Sequence, residues 1–428
     1  MDFKRVFIAA RGTIARRLVA FYREQGVESV LAFAMAEAEQ SVLDEADFDA
    51  YLPGETWEDA WLNSERLVAA AMDAGCDALH AGTWMMAGYR PFVEMAIKAN
   101  VPVIGVPLDV LRRLADREAM QAKVAGQNLT MLPASAVLGS EEDGVAAAAQ
   151  VGLPAMVRGV GGRGSRLVTS FEEVPAAVTE VRDVERRSMF AEGVYLTRVL
   201  TNSRIVSAVV AGDAQGQCHT LGWLESASKS GPFTWVDACG EILDGTLRTR
   251  LESDTEGLAT ALGWRGVGRF RWLITEEGDV YFVGVSARLP MAVDLFEEVY
   301  GLDLVTIEHR LAAGEAVHGM VTGIQQGSYG MQARVYTQLE GDAVGVFASM
   351  VTPDEATLSQ GLDIGSPCHR ETEPLLVALR VVADTRSVAV EKLSRAVASC
   401  AITGVPTNLE ALRDVVSSEG FLSRGQVS

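Results

Sequence analysis

The first hundred residues alternate short apolar runs with amphipathic segments, and that order confines the chain to few folds. RVFIAA reads as a short buried strand, GTIARRLVAFYREQG as an amphipathic helix ended by Gly26, and ESVLAFAM as the next strand. A helix around Asn63 to Ala74, the strand CDALHAG, a helix near Pro91 to Ala99 and the strand PVIGVP follow. Strict alternation of this kind predicts a doubly wound parallel sheet with helices on both faces. Ligands of such sheets lie beyond the carboxyl ends of the strands, which places Ala10, Arg11, Gly12, His80 and Gly82 at a predicted mouth.

The text then changes character. Helical sequence runs from Leu108 to Ala125 with Asp116 and Arg117 inside it, and a small α+β segment extends from about Met131 to Leu196. From about Leu200 long alternating strands take over. Among them GRFRWLITEEGDVYFVGVSARLP, Gly268 to Pro290, reads as two adjacent antiparallel strands near the centre of a sheet, turning at an acidic, glycine-containing loop. The fold class is therefore α/β joined to α+β. The segments predicted are 1–107, 108–198 with a small lid, 199–325 as a core, and 326–428 as a C-terminal antiparallel-sheet domain.

Composition removes several function classes. A formal charge of -20 opposes a broad nucleic-acid face. No apolar run reaches the roughly 18 to 20 residues of a membrane span. Cys76, Cys218, Cys239, Cys368 and Cys400 are scattered without a CxxC pair, as expected of reduced thiols in a cytoplasmic protein. The histidines show no HExxH or HxH spacing, so no metal site is predicted from them.

Gly159, Gly161 and Gly164 satisfy GxGxxG, but they join one extended run, Pro154 to Val157, to another, Arg166 to Thr169, instead of opening a helix. The prediction is a hairpin loop. Its backbone N–H groups, with Gly162 and the charges of Arg158, Arg163 and Arg166, suit a phosphate; a plain surface hairpin suits the pattern equally.

In its order of parts the chain resembles the ATP-grasp biotin carboxylase family over nearly its full length. IAARGTIARRL, ALHAG, ADREAM, LPAMVRGVGGRGSRLV, GWRGVGRFRWLITEEGDVYFVGVSARL, MQARVY and ITGVPTNLEAL carry the likeness. The resemblance implies two carboxylates holding Mg²⁺ on the paired strands, at positions occupied here by Arg271 and Gly284. A nearby asparagine is replaced by Ser286, and the glutamate that acts as base toward bicarbonate by Ala292. The arginines at 288 and 334 are retained. The family's two phosphate-binding lysines correspond to Arg117 and Arg158, and a histidine near the adenine to Ile205. A basic stretch beside the bicarbonate pocket has become SASKSGPFTW, while TWMMAGY, Thr83 to Tyr89, reads as packing.

These exchanges carry large energies. An arginine in place of a metal-holding carboxylate converts attraction into repulsion of about 4 kcal/mol per unit charge at about 4 Å, for an effective dielectric of about 20. Loss of a general base costs roughly 10² to 10⁴ in rate. The resemblance thus implies a non-catalytic structural or regulatory subunit of a biotin-dependent carboxylase-type complex. Its expected partners are a biotin carrier protein, a carboxyltransferase or an active biotin carboxylase subunit, in a homo- or hetero-oligomer. Two alternatives remain open: an ATP-grasp ligase with altered, metal-independent chemistry, and a nucleotide or metabolite sensor. No cofactor is required on this reading. ATP or ADP stays admissible as a ligand, and the absence of an AMKM-like acceptor predicts no covalent biotin on this chain.

Overall fold

The computed structural model describes residues 3–83, 85–140, 142–160, 164–187, 193–230, 233–325 and 327–423. Strands β1 (Arg5–Ile8), β2 (Glu28–Phe33), β3 (Phe48–Tyr51), β4 (Ala78–His80) and β5 (Val103–Ile104) form a parallel sheet in the order β3-β2-β1-β4-β5. Side chains of β1 alternate between two cores, Phe7 entering one and Val6 and Ile8 the other. Both faces of the sheet are therefore covered, as the alternation predicted. The first helix, Gly12–Gln25, buries Ile14, Leu18, Phe21 and Tyr22 and stops at Gly26, whose φ of 66° is left-handed.

The predicted mouth of this sheet is closed. Arg11 is buried, ion-paired to Glu37, and donates from Nη2 to the Glu371 carbonyl at 2.7 Å. Beside it lies a cavity of about 20 Å³ lined by Ala10, Arg11, Gly12, Leu362 and Glu373, room for one water at most. Residues 361–373 thus plug the place where a ligand was expected. Thr83 and Met86 pack as the Met-rich reading anticipated, with Thr83 Oγ1 3.0 Å from Met291 Sδ.

His80 also turns inward. Its Nδ1 accepts from the Gly82 amide at 3.0 Å and its Nε2 stands 3.3 Å from the Glu308 carboxylate, with both residues fully buried. Burial raises the Glu308 pKa, and His80 only partly opposes it. A carboxyl whose folded pKa exceeds its unfolded value stabilises the fold at low pH and loses that contribution as pH rises through the folded pKa. Glu308→Gln is therefore expected to flatten the fall of stability with pH above about 4.3, the ordinary glutamate value, in urea titrations across pH.

The helix expected over Leu108 to Ala125 is two helices, Leu108–Ala115 and Arg117–Gly126. Asp116 stands between them with extended geometry and accepts the Ala119 amide at 2.9 Å, so it is an N-cap instead of a helix-surface charge. The lid is the sheet β7-β6-β8, formed by β6 (Ala155–Gly159), β7 (Ser165–Val168) and β8 (Val194–Arg198), with two helices packed on it through Val157, Val168, Val178 and Leu196.

The remaining strands are β9 (Ser203–Gly212), β10 (Cys218–Ser230), β11 (Phe233–Gly240), β12 (Gly266–Thr275), β13 (Val280–Ser286), β14 (Tyr329–Tyr336), β15 (Gly345–Val346), β16 (Ser349–Val351), β17 (Thr357–Gln360), β18 (Pro367–Cys368), β19 (Leu375–Ala383) and β20 (Ala401–Thr403). Eight of them make one sheet, β13-β12-β9-β10-β11-β14-β19-β17, which crosses the boundary expected at 325/326. The hairpin expected near the sheet centre is at its edge. β13 is the outermost strand, and the linker covers it: the Leu132 amide donates to the Phe282 carbonyl at 2.9 Å and the Phe282 amide to the Thr130 carbonyl at 2.7 Å. A covered edge satisfies the groups that alternation alone leaves unassigned.

Candidate functional site

The site is built by β12 and β13. Their antiparallel register opposes Arg269 to Ser286 and Arg271 to Gly284, with a shift between Arg271 and Trp272. Phe270 and Trp272 are buried in the core, so period-2 alternation puts Arg269 and Arg271 together on the opposite face. Gly284 has φ 146°, and a Cβ built there would lie 3.7 Å from Arg271 Nη2. The guanidinium thus lies over bare backbone. Arg269 Nη2 donates to Ser286 Oγ at 3.4 Å, and Ala292 is buried at the start of helix Val293–Tyr300.

Other cations converge on this face. Arg158, on β6 of the lid, donates from Nε to Thr197 Oγ1 at 3.0 Å and is within electrostatic range of Arg271 and Lys229. Burial, followed by the facing Arg288 and Arg271, pulls the Arg269 guanidinium down to about 9. Burial and then Arg271 take Arg288 to about 10. Arg271 is lowered by burial and by Arg158; Lys229, whose side chain reaches solvent, is lowered by desolvation and then by Arg158, Arg271 and Arg269. Among the described residues the buried Nε atoms of Arg269 and Arg271 have no hydrogen-bond partner.

Arg334 is differently placed. Its Nη2 is 2.5 Å from Asp237 Oδ2, both residues being buried on adjoining strands β14 and β11. Burial works against the charge on Arg334, but Asp237 and the Tyr336 hydroxyl outweigh it and hold its pKa above the ordinary value. Of the two arginines expected at the site, Arg288 has no ion-pair partner among the described residues, while Arg334 is committed to Asp237.

Arg117 opens the helix Arg117–Gly126. Gly161, Gly162 and Arg163 lie outside the described residues, whereas Gly164 takes a left-handed φ of 70° at the β6–β7 turn. Arg166 is exposed and paired with Glu180 at 2.6 Å. Sequence reasoning did not single out Arg269, Lys229 or Asp237 as site residues. The Arg-x-Arg spacing in a strand announces the first, but Asp237 meets Arg334 only through the cross-strand register.

Mg²⁺ needs oxygen ligands, and the residues at its expected position supply a guanidinium and a glycine. Among the described residues no group of three or more His, Cys, Asp or Glu side chains could hold a metal ion. The site as built does not fit the metal.

Residues 2–111 match the biotin carboxylase N-terminal domain, and residues 116–319 match the ATP-binding domain of the carbamoyl-phosphate synthase L chain. The chain belongs to the biotin carboxylase family. It is 28% identical to the biotin carboxylase of Halalkalibacterium halodurans over 98% of this chain and 95% of that one. Identity to biotin carboxylase 2 of Bacillus subtilis is 25%, over 98% and 97% of the two chains. The biotin carboxylase domain dimer of Hydrogenobacter thermophilus 2-oxoglutarate carboxylase, solved with MgADP, ADP and bicarbonate, superposes with a TM-score of 0.89 at 22% identity, covering 99% of this chain and 96% of that domain. Rhizobium etli pyruvate carboxylase superposes with a TM-score of 0.87 at 23% identity, over 99% of this chain and 39% of its own. The architecture is that of the biotin carboxylase ATP-grasp fold.

Proposed function

We propose that this biotin-carboxylase-like subunit does not run the Mg-ATP and bicarbonate chemistry, and that it acts as a structural or regulatory component of a biotin-dependent carboxylase-type assembly. The observation that carries the reading is the cross-strand pair Arg271 and Gly284, standing where the family resemblance puts two metal-holding carboxylates. Phosphoryl transfer depends on metal and positioning more than on covalent work by the protein, so a site that repels the cation forfeits the main catalytic contribution. The missing carboxylate at Ala292 removes the base as well. Relatives occur as one part of larger carboxylases, which supports partners: a biotin carrier, a carboxyltransferase or an intact biotin carboxylase subunit.

Two measurements test the reading. Purified chain supplied with Mg-ATP, bicarbonate and free biotin is expected to release phosphate at the rate of the protein-free control. Affinity capture from the native cell under gentle lysis is expected to bring down a biotinylated chain or a carboxyltransferase. Bicarbonate-dependent phosphate release, or recovery of the chain alone, overturns it. The uncompensated cations around Arg271 favour a second reading, a nucleotide or metabolite sensor that binds without a metal and without turnover.

A further inference from the structure

The large sheet pairs its other buried or half-buried arginines. Arg204 meets Glu225 at 2.8 Å, Arg334 meets Asp237, and Arg380 stands 3.5 Å from Glu298. Arg269, Arg271, Arg288 and Lys229 have no carboxylate in ion-pair contact among the described residues; Asp237, paired with Arg334, reaches Arg269 and Lys229 only as a more distant charge, although the chain as a whole carries 57 acidic residues against 37 basic ones. Gathering four cations in one place without a directly paired carboxylate, within a chain this acidic, is costly unless an anion joins them. The buried Nε atoms of Arg269 and Arg271 lack a partner among the described residues, as do those of the ion-paired Arg334 and Arg380, so what sets the first two apart is the missing carboxylate on a planar fork suited to oxyanions.

We infer that Arg269 and Arg271, with Arg158 and Lys229, form a metal-independent site for a multiply charged oxyanion of the pyrophosphate type, the guanidinium donors standing in for a divalent cation. Residues two apart on a strand are separated by roughly 6–7 Å, so an anion whose charge is spread over two linked phosphoryl groups engages both arginines and a single small anion engages one. Gly284 keeps the floor beneath Arg271 free of a side chain. Arg158 approaches from the lid strand β6, so a bound anion touches both the lid and the large sheet. The inference rests on the reading that metal-dependent chemistry is absent from these strands.

Calorimetric titration of the full chain with inorganic pyrophosphate in EDTA tests it. One saturable site is expected, at least tenfold tighter than for inorganic phosphate and weakened at least tenfold by Arg271→Gln. Excess Mg²⁺ is expected to weaken binding, since it neutralises the anion that the arginines recognise; a conventional metal-bridged site would show the opposite sign. Lys229→Gln, at an exposed position, is expected to weaken binding at least threefold and to leave the thermal midpoint of the free chain unchanged. Arg166→Gln, which removes a cation paired elsewhere, is expected to leave it unchanged. Absence of saturable binding in EDTA, a requirement for Mg²⁺, or indifference to both Arg271→Gln and Lys229→Gln overturns the site. Bicarbonate-dependent phosphate release from Mg-ATP, read in a separate assay, would overturn the functional reading instead.

Discussion

Replacing Asp237 with alanine is expected to lower the unfolding free energy by about 3–5 kcal/mol, read as a shift of the urea midpoint at constant slope. The carboxylate is buried, and its partner Arg334 is equally buried on the adjoining strand. Removing one member leaves a cation stranded away from water, which is the expensive way to break a buried pair. Asp237 is also the carboxylate that Arg269 and Lys229 feel, so its loss deepens the positive charge of the whole face. The double variant Asp237→Leu with Arg334→Met is expected to recover much of the loss, because it removes both charges and keeps apolar volume. A double variant no more stable than Asp237→Ala would show that the pair contributes through something other than mutual neutralisation.

Gly284→Glu, which reinstates one of the carboxylates that the family resemblance implies, is expected to cost about 1–3 kcal/mol and to gain no Mg²⁺ affinity. The backbone at 284 has φ 146°, a conformation that side-chain-bearing residues rarely adopt. The new side chain would start 3.7 Å from Arg271 Nη2, in ordinary contact with it, and would turn toward that guanidinium before any cation. Without a bound phosphate to supply further oxygens, one carboxylate beside a guanidinium gives a weak Mg²⁺ site at best. A thermal melt with and without millimolar Mg²⁺ reads both effects: the midpoint falls relative to the natural chain and does not move with the metal. A rise with Mg²⁺ would show that the strand geometry still admits a metal site and that only the side chains were lost.

Much of the architecture was legible in the sequence because period and punctuation are local. The βαβα order fixed the parallel sheet, and Gly26 ended its first helix where the amphipathic pattern stopped. The turn of glycines between β6 and β7 was readable as a hairpin because apolar runs flank it on both sides. What failed was non-local. Nothing in RVFIAA or CDALHAG announces that residues 361–373 come back to close the strand ends, so Arg11 looked like a mouth residue and is a buried ion-pair member, while His80 packs at the end of its strand with Nε2 beside Glu308. The alternation in the Gly268 to Pro290 stretch gave two strands but not their place in the sheet, since an edge covered by residues 130–132 and a central strand have the same pattern of buried side chains.

The site divides in the same way. The resemblance put Arg271 and Gly284 on the two paired strands, and the register between β12 and β13 sets them opposite one another. The pairing of Arg334 with Asp237 was not legible, because roughly a hundred residues separate them and only the neighbouring of β11 and β14 brings them together. That pairing decides which of the two retained arginines has charge to spare.

The continuity of the eight-stranded sheet across residue 325 bears on how the polypeptide can be divided. β11, which precedes that point, is hydrogen-bonded along Val236 to Gly240 to β14, which follows it. A fragment ending at 325 would therefore expose an apolar strand edge and strip Asp237 of its cation, while the remaining fragment would begin with a strand that has lost one of its neighbours. The two C-terminal parts are distinct in sequence character yet share one sheet, so cleavage at residue 325 is expected to destabilise both fragments.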